Sequence, residues 1–271
     1  MSTWYGPDPL PVIPAPRGAR LRSLRRAVPV ILVLGTGLML HLLTRLAERP
    51  LHGMARPWSP HITQAVCRLT LRLLGLGYRI EGTPMTARGA VVANHASWLD
   101  IFALNAGQRV YFVAKSEVAG WPGIGLLAQV TGTVFITRDP RSARAQTDTF
   151  AARLLAGHQL LFFPEGTSTD GLRVLPFKTT LFEAFLTPEL RHDLMIQPVS
   201  VIYTAPPGQD PRFYGWWGDM SFGAHLAHVL AAPRQGNVRV IYHPALRVDA
   251  YPNRKSLAAA LETAVRGPVA D

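Results

Sequence analysis

In the stretch VVANHASWLD, residues 91–100, an apolar run ends in Asn94-His95 and an aspartate stands five positions after the histidine. An imidazole at the exit of a strand can take a proton from a hydroxyl. It does so well when a carboxylate fixes its tautomer and stabilises the imidazolium. A loop entering a helix can fold Asp100 back onto His95 and leave the other ring nitrogen for substrate. The rival reading makes Asp100 a helix cap and His95 a satisfied loop residue, and the spacing alone does not separate the two.

A second candidate is LLFFPEGTSTDGLRVLPFK, residues 160–178. Glu165 follows a strand-ending proline, Gly166 permits close approach of a ligand, and Thr167 and Ser168 supply hydroxyls. A nucleophilic serine on an α/β elbow needs G-x-S-x-G. Here Asp170 stands where the last glycine should be, so covalent catalysis through Ser168 lacks its motif. Lys115 and Arg138 leave two further apolar runs with glycines between them. Cations at strand exits suit an anionic ligand, and Arg138 can contact phosphate or carboxylate with two hydrogen bonds.

Other residues carry less. His225 and His228 lie one turn apart without a third ligand, so no zinc site is expected. The single cysteine, Cys67, excludes an intrachain disulfide and a CxxC metal site, and reads as core packing. Trp98 reads as packing beside the histidine loop. Trp216 and Trp217 read as packing or as anchors at a membrane interface.

Strands expected at 90–93, 110–114, 133–136, 160–163, 196–203 and 238–242 alternate with helices at 99–105, 124–130, 142–156, 179–186, 221–231 and 256–265. That order implies an α/β fold, a mixed and mostly parallel sheet flanked by helices. Ligands gather where strands of such sheets end, and His95 and Glu165 both sit at such ends.

The first part of the chain differs in kind. Residues 1–77 hold ten arginines and two acids, a net +8 out of +11 for all 271 residues. Residues 1–16 contain five prolines and no periodicity. The eighteen uncharged residues 27–44 would span about 27 Å as a helix, against a hydrocarbon core of about 30 Å, with Pro29 in the first turn. No small-x-small cleavage site follows before Arg45, so a retained membrane helix is expected rather than a signal peptide. A second helix, 61–76, has Ile62, Val66, Leu69, Leu73 and Leu76 at helical spacing. It would lie in the membrane interface with its arginines toward phosphates, in preference to covering the core. The expected organisation is an unstructured tail at 1–22, a two-helix membrane-docking motif at 23–77 and an α/β domain at 78–271. A basic excess beside apolar segments favours membrane lipids over nucleic acid as the partner.

Taken in order, NHASWLD, GTVFITRD, FPEGTST and IQPVSV resemble the four blocks of the glycerolipid acyltransferase family, of the 1-acyl-sn-glycerol-3-phosphate acyltransferase type. The similarity covers about residues 78–205. It implies that His95 is the general base and Asp100 its orienting partner. It further implies that Glu165, Gly166 and Thr167 line the acceptor site, that Arg138 contacts the acceptor's anionic headgroup, and that Pro198 lies near the acyl pocket. The implied donor is a thioester on acyl carrier protein or coenzyme A, with no cofactor and no metal. The implied product is phosphatidic acid made from 1-acyl-sn-glycerol-3-phosphate, on the cytoplasmic side of a bacterial inner membrane. One departure favours the alternative acceptor, lyso-ornithine lipid. Many phosphatidate-forming members have arginine after Glu-Gly-Thr, where this chain has Ser168. The run EGTSTDGLRVLPFK with GWWGDM downstream looks more like the lyso-ornithine branch.

Overall fold

The computed structural model describes residues 3–6, 18–121, 123–137, 143–188 and 190–270. Arg138 lies outside the described residues. Seven main strands run β1 (Gly77–Gly82), β2 (Gly89–Ala93), β3 (Tyr111–Lys115), β4 (Val134–Ile136), β5 (Leu160–Phe162), β6 (Met195–Thr204) and β7 (Asn237–Tyr242), with a two-residue β8 (Leu246–Arg247). They form one sheet in the order β1-β7-β6-β2-β5-β3-β4, with β8 beside β6. Pairing is parallel except where β6 meets β7 and β8. The mixed, mostly parallel sheet expected from the sequence is therefore present.

Helices α1 (Ala19–His52), α2 (Ser59–Leu74), α3 (Asp100–Gly107), α4 (Ile124–Thr131), α5 (Ala143–Leu155), α6 (Phe222–Ala231) and α7 (Arg254–Ala270) pack around that sheet. β2 is buried along its whole length and splits its side chains by the period of two. Val91 and Ala93 join one core with α2, α3 and α6; Ala90 and Val92 join the other with α5 and α7. The segment expected as a helix at 179–186 is a 3-10 turn, closed by Phe182 N–H to the Thr179 carbonyl and Leu186 N–H to Glu183. β1, which the sequence pattern does not single out, is an edge strand paired with β7 alone among the described residues, so its Arg79 and Glu81 can face water.

The first two helices form an antiparallel hairpin. Its contacts run in opposite senses: Gly37 against Val66, His41 Nδ1 3.3 Å from Thr63 Oγ1, and Glu48 on Ser59. A Cβ on Gly37 would lie 2.3 Å from Val66 Cγ2, so the close approach requires glycine there. At the elbow, the Glu48 carboxylate accepts the Trp58 and Ser59 amides and the Ser59 hydroxyl, supplying acceptors to the orphan donors that open α2.

Two expectations fail here. α1 starts at Ala19, so Pro29 lies in the helix interior rather than its first turn. The early start is supported by Arg22 and Arg26, which donate to the Leu230, Ala231 and Ala232 carbonyls at the C-terminal end of α6. In α2 the buried face is Cys67, Thr70, Leu71 and Leu74, and Leu69 is exposed. The helix is turned this way because Arg68 and Gln64 donate to the Ala106 and Gly107 carbonyls that end α3. α2 thus covers the core. α1 carries the exposed apolar face, including Leu32, Leu42, Leu43 and Leu46, and is long and apolar enough to cross a bilayer. A surface of that kind associates the chain with a membrane.

Candidate active site

β2 is a central strand, and its side-chain ladder continues for one residue after the strand ends. Asn94 donates to the Val201 carbonyl at 2.9 Å and accepts the Val201 amide at 2.7 Å, extending the pairing with β6. The next three residues make a loop with every backbone polar group engaged. The His95 amide donates to Glu165 Oε1 (2.7 Å), and its carbonyl accepts the Thr169 amide (2.9 Å). The Ala96 amide donates to Asp100 and its carbonyl accepts the Trp216 amide; the Ser97 amide donates to Asp100 and its carbonyl accepts the Asp100 amide. A loop fixed at six points holds its side chain without reorganisation.

Asp100 is fully buried. Its Oδ2 takes the Ala96 and Ser97 amides and lies 2.7 Å from His95 Nδ1, while Oδ1 accepts the Tyr203 hydroxyl at 2.8 Å. The carboxylate therefore points back at the residues before it, and the helix-cap reading of Asp100 does not describe it. With Oδ2 acting as acceptor to two amides, Nδ1 must carry the proton, which leaves Nε2 with its lone pair. The imidazole retains 21% exposure and stacks on Phe163, ring centroids 4.0 Å apart and 11° from parallel. Burial and the adjacent Asp100 carboxylate push the Tyr203 phenol well above its ordinary range, so it stays a donor.

Glu165 leaves the end of β5, the neighbouring strand. It is 1% exposed, with Oε1 on the His95 amide and Oε2 on the Leu175 amide at 2.6 Å. Burial pushes it up to about 8 in spite of the two amide donors. Its two oxygens thus tie the histidine loop to the segment at Leu175. Gly166 turns the chain with φ of 73°, a conformation that favours glycine. Thr167 is partly exposed and its Oγ1 accepts the Trp4 amide at 3.4 Å. Lys115 closes β3 on this same carboxyl edge of the sheet, partly exposed.

Pro198 lies buried in mid-β6 opposite Val92. Trp98 packs as expected, edge-on to Phe102 and Phe222, and donates to His225 Nδ1 at 2.9 Å. Burial pushes His225 down to about 4, in keeping with that acceptor role. Sequence reasoning missed Tyr203, Thr169, Phe163 and the Trp216 backbone. Tyr203 is one of several polar-tipped residues in β6, beside Gln197, Ser200 and Thr204, so the sequence pattern does not single it out. It also missed residues 3–6 within the expected tail, where Trp4 lies against Thr167 and Trp217.

A buried carboxylate behind a partly exposed imidazole, on the carboxyl edge of an α/β sheet that carries an exposed apolar helix, suits an enzyme that deprotonates hydroxyls at a bilayer. The Acyltransferase family profile matches residues 78–202. The lyso-ornithine lipid O-acyltransferase of Rhodobacter capsulatus is 60% identical over 263 residues, covering 97% of this chain and 95% of the relative. The 1-acyl-sn-glycerol-3-phosphate acyltransferase of Neisseria meningitidis serogroup B is 44% identical over 124 residues, 43% of this chain and 47% of that one. The chain belongs to the Acyltransferase family. The crystal structure of the 1-acyl-sn-glycerophosphate acyltransferase PlsC from Thermotoga maritima has the same fold, with a TM-score of 0.64 at 18% identity over 93% of this chain and 96% of that one.

Proposed function

We propose that this acyltransferase moves a fatty acyl group from a thioester, on acyl carrier protein or coenzyme A, to the free hydroxyl of lyso-ornithine lipid. The observation that carries the chemistry is the 2.7 Å contact between His95 Nδ1 and an Asp100 whose oxygens are all engaged by donors. His95 Nε2 takes the hydroxyl proton as the oxygen attacks the thioester carbonyl carbon. The C–S bond then breaks, and the departing sulfur takes the proton back from the imidazolium. Asp100 holds the ring through Nδ1 and stabilises the imidazolium. General-base assistance of this kind contributes typically about 10²–10⁴-fold, with positioning supplying more.

Two features support lyso-ornithine lipid over 1-acyl-sn-glycerol-3-phosphate, which the resemblance puts first. The relative that matches nearly end to end is named for lyso-ornithine lipid, while the phosphate-acceptor relative matches less than half of the chain. In the loop after β5, Ser168 stands where a phosphate-binding arginine would. The loop's own Arg173 is held by Asp170 through two hydrogen bonds, at 3.1 and 2.8 Å. Thioester donors are cytosolic, so the reading has the domain on the cytoplasmic side of a bacterial inner membrane, with α1 as the helix that meets the bilayer.

The test offers purified enzyme both acceptors with labelled acyl carrier protein thioester. A higher kcat/KM for lyso-ornithine lipid is expected. Preference for lysophosphatidic acid would overturn the acceptor, and an acylated protein intermediate would overturn direct transfer.

A further inference from the structure

At the amino ends of β3 and β5, across the sheet from His95, four arginines converge. Arg45 and Arg49 come from the last turns of α1, Arg56 from the elbow and Arg153 from α5. Together with Met54 and His158 they line a cavity of about 300 Å³. The Tyr111 ring, at the start of β3, is covered by the Arg153 guanidinium at 4.5 Å, the Arg56 guanidinium at 5.7 Å and the His158 ring at 4.3 Å.

The cations here are not matched. Among the described residues the carboxylate that faces them is Glu48, and its oxygens are taken by Arg45 and by the amides and hydroxyl that open α2. Arg153 spends Nη2 on the Gly132 carbonyl at 2.7 Å. Its Nε, Nη1 of Arg56 and both nitrogens of His158 are buried without a hydrogen-bond partner among the described residues. His158 is only 5% exposed and sits beside the Met54 carbonyl outside hydrogen-bonding geometry. Burial and the neighbouring guanidinium groups push Arg153 down to about 10 and His158 down to about 4. Unpaired buried donors are costly, and an anion with several acceptor oxygens would satisfy them.

What the cavity adjoins narrows the anion. A second cavity, of about 450 Å³, shares Arg45, Arg49 and Arg56 and adds Leu42, Leu46 and Val130. Leu42 and Leu46 belong to the exposed apolar face of α1. A ligand that fills both must carry negative charge at one end and hydrocarbon at the other. We propose that this double cavity binds one anionic membrane phospholipid, its phosphate among Arg49, Arg56 and Arg153 and its chains along Leu42 and Leu46. The bound lipid would pin the elbow of the helix hairpin at the bilayer while the opposite edge of the sheet does chemistry. The site takes no part in acyl transfer, so it stands or falls apart from the acceptor assignment.

The full chain in neutral detergent would be titrated with short-chain phosphatidylglycerol, short-chain phosphatidylcholine, inorganic phosphate and acyl carrier protein while its melting temperature is followed. The expected result is a rise with phosphatidylglycerol that the other three do not give. Arg49→Gln, at an exposed position, should weaken that effect about fivefold, the contribution of one cation near an anionic lipid surface, with acyl transfer in detergent unchanged. Arg153→Gln should abolish it. If that variant fails to fold, Arg49→Gln decides alone. Equal stabilisation by inorganic phosphate would make this a free-phosphate site, and protection by acyl carrier protein alone would make it a carrier-docking face; either overturns the lipid. So would equal effects of the two phospholipids, or a phosphatidylglycerol effect untouched by Arg49→Gln.

Discussion

The two ends of the sheet treat charge in opposite ways. At the carboxyl end the buried Asp100 carboxylate that meets the His95 ring has both oxygens occupied, and the loop around it has its backbone groups engaged from residue 95 to 97. At the amino end, guanidinium and imidazole nitrogens are buried among neighbouring guanidinium groups with no hydrogen-bond partner among the described residues. The first arrangement is complete without a ligand, as a site must be if it is to act on substrate without reorganising. The second is incomplete in the chain by itself, which is the condition for binding something. Catalytic and binding sites can thus be told apart by what each leaves unsatisfied.

The largest effect expected tests the complete end. His95→Ala should lower kcat by about 10²–10⁴-fold while the melting temperature and membrane sedimentation stay near wild type, since the ring is partly exposed and its backbone carries the loop contacts. Asp100→Asn should lose as much activity and should also destabilise, because an amide cannot accept from two main-chain amides, an imidazole and a phenol at once. Near-wild-type turnover of purified His95→Ala would remove the basis for the comparison.

Much of the completed end was legible in the sequence, because strand exits carry chemistry in α/β sheets and His95, Asp100 and Glu165 follow such exits directly. The supports were not. Tyr203 is 103 residues from Asp100 and Trp216 is 120 from Ala96, and only the parallel pairing of β2 with β6 brings the first of them into reach. The turning of α2 was missed for a related reason. Periodicity weighs apolar side chains, whereas Arg68 and Gln64, seeking the carbonyls at the end of α3, decide which face turns inward. The arginine pocket was visible only as an excess of basic residues. Arg153 and His158, which make it a cavity, come from a different part of the chain.

A middle-sized effect sharpens the contrast through pH. The carboxyl of Glu165 is raised from 4.5 in the unfolded chain to about 8 in the fold. Between those values the folded chain keeps a proton that the unfolded chain has released. Stability should therefore fall as pH rises through that window, by at most about 1.4 kcal/mol per pH unit for one proton. Glu165→Gln cannot titrate. It should cost about 1–3 kcal/mol at the acid end, where one of two amide partners loses its acceptor, and the deficit relative to wild type should shrink toward pH 8. Urea unfolding of both proteins across the window checks this; parallel stability curves would show that the buried carboxyl keeps an ordinary acidity.

The smallest effect concerns the rim between the finished loop and solvent. The Trp4 amide donates to Thr167 Oγ1 at 3.4 Å, its ring lies 5.2 Å beneath the Arg173 guanidinium and 6.2 Å from Trp217, and Tyr5 reaches Asp219. A cation–π contact at such a half-exposed site contributes about 0.5–1 kcal/mol. Trp4 touches the loop that follows Glu165, through Thr167 and Arg173. Trp4→Ala should accordingly raise KM for the lysolipid about two- to fivefold, the equivalent of that energy, and leave kcat and the melting temperature alone. A fall in kcat instead would mean that the segment reaches the reacting groups and that the loop around His95 is not self-sufficient.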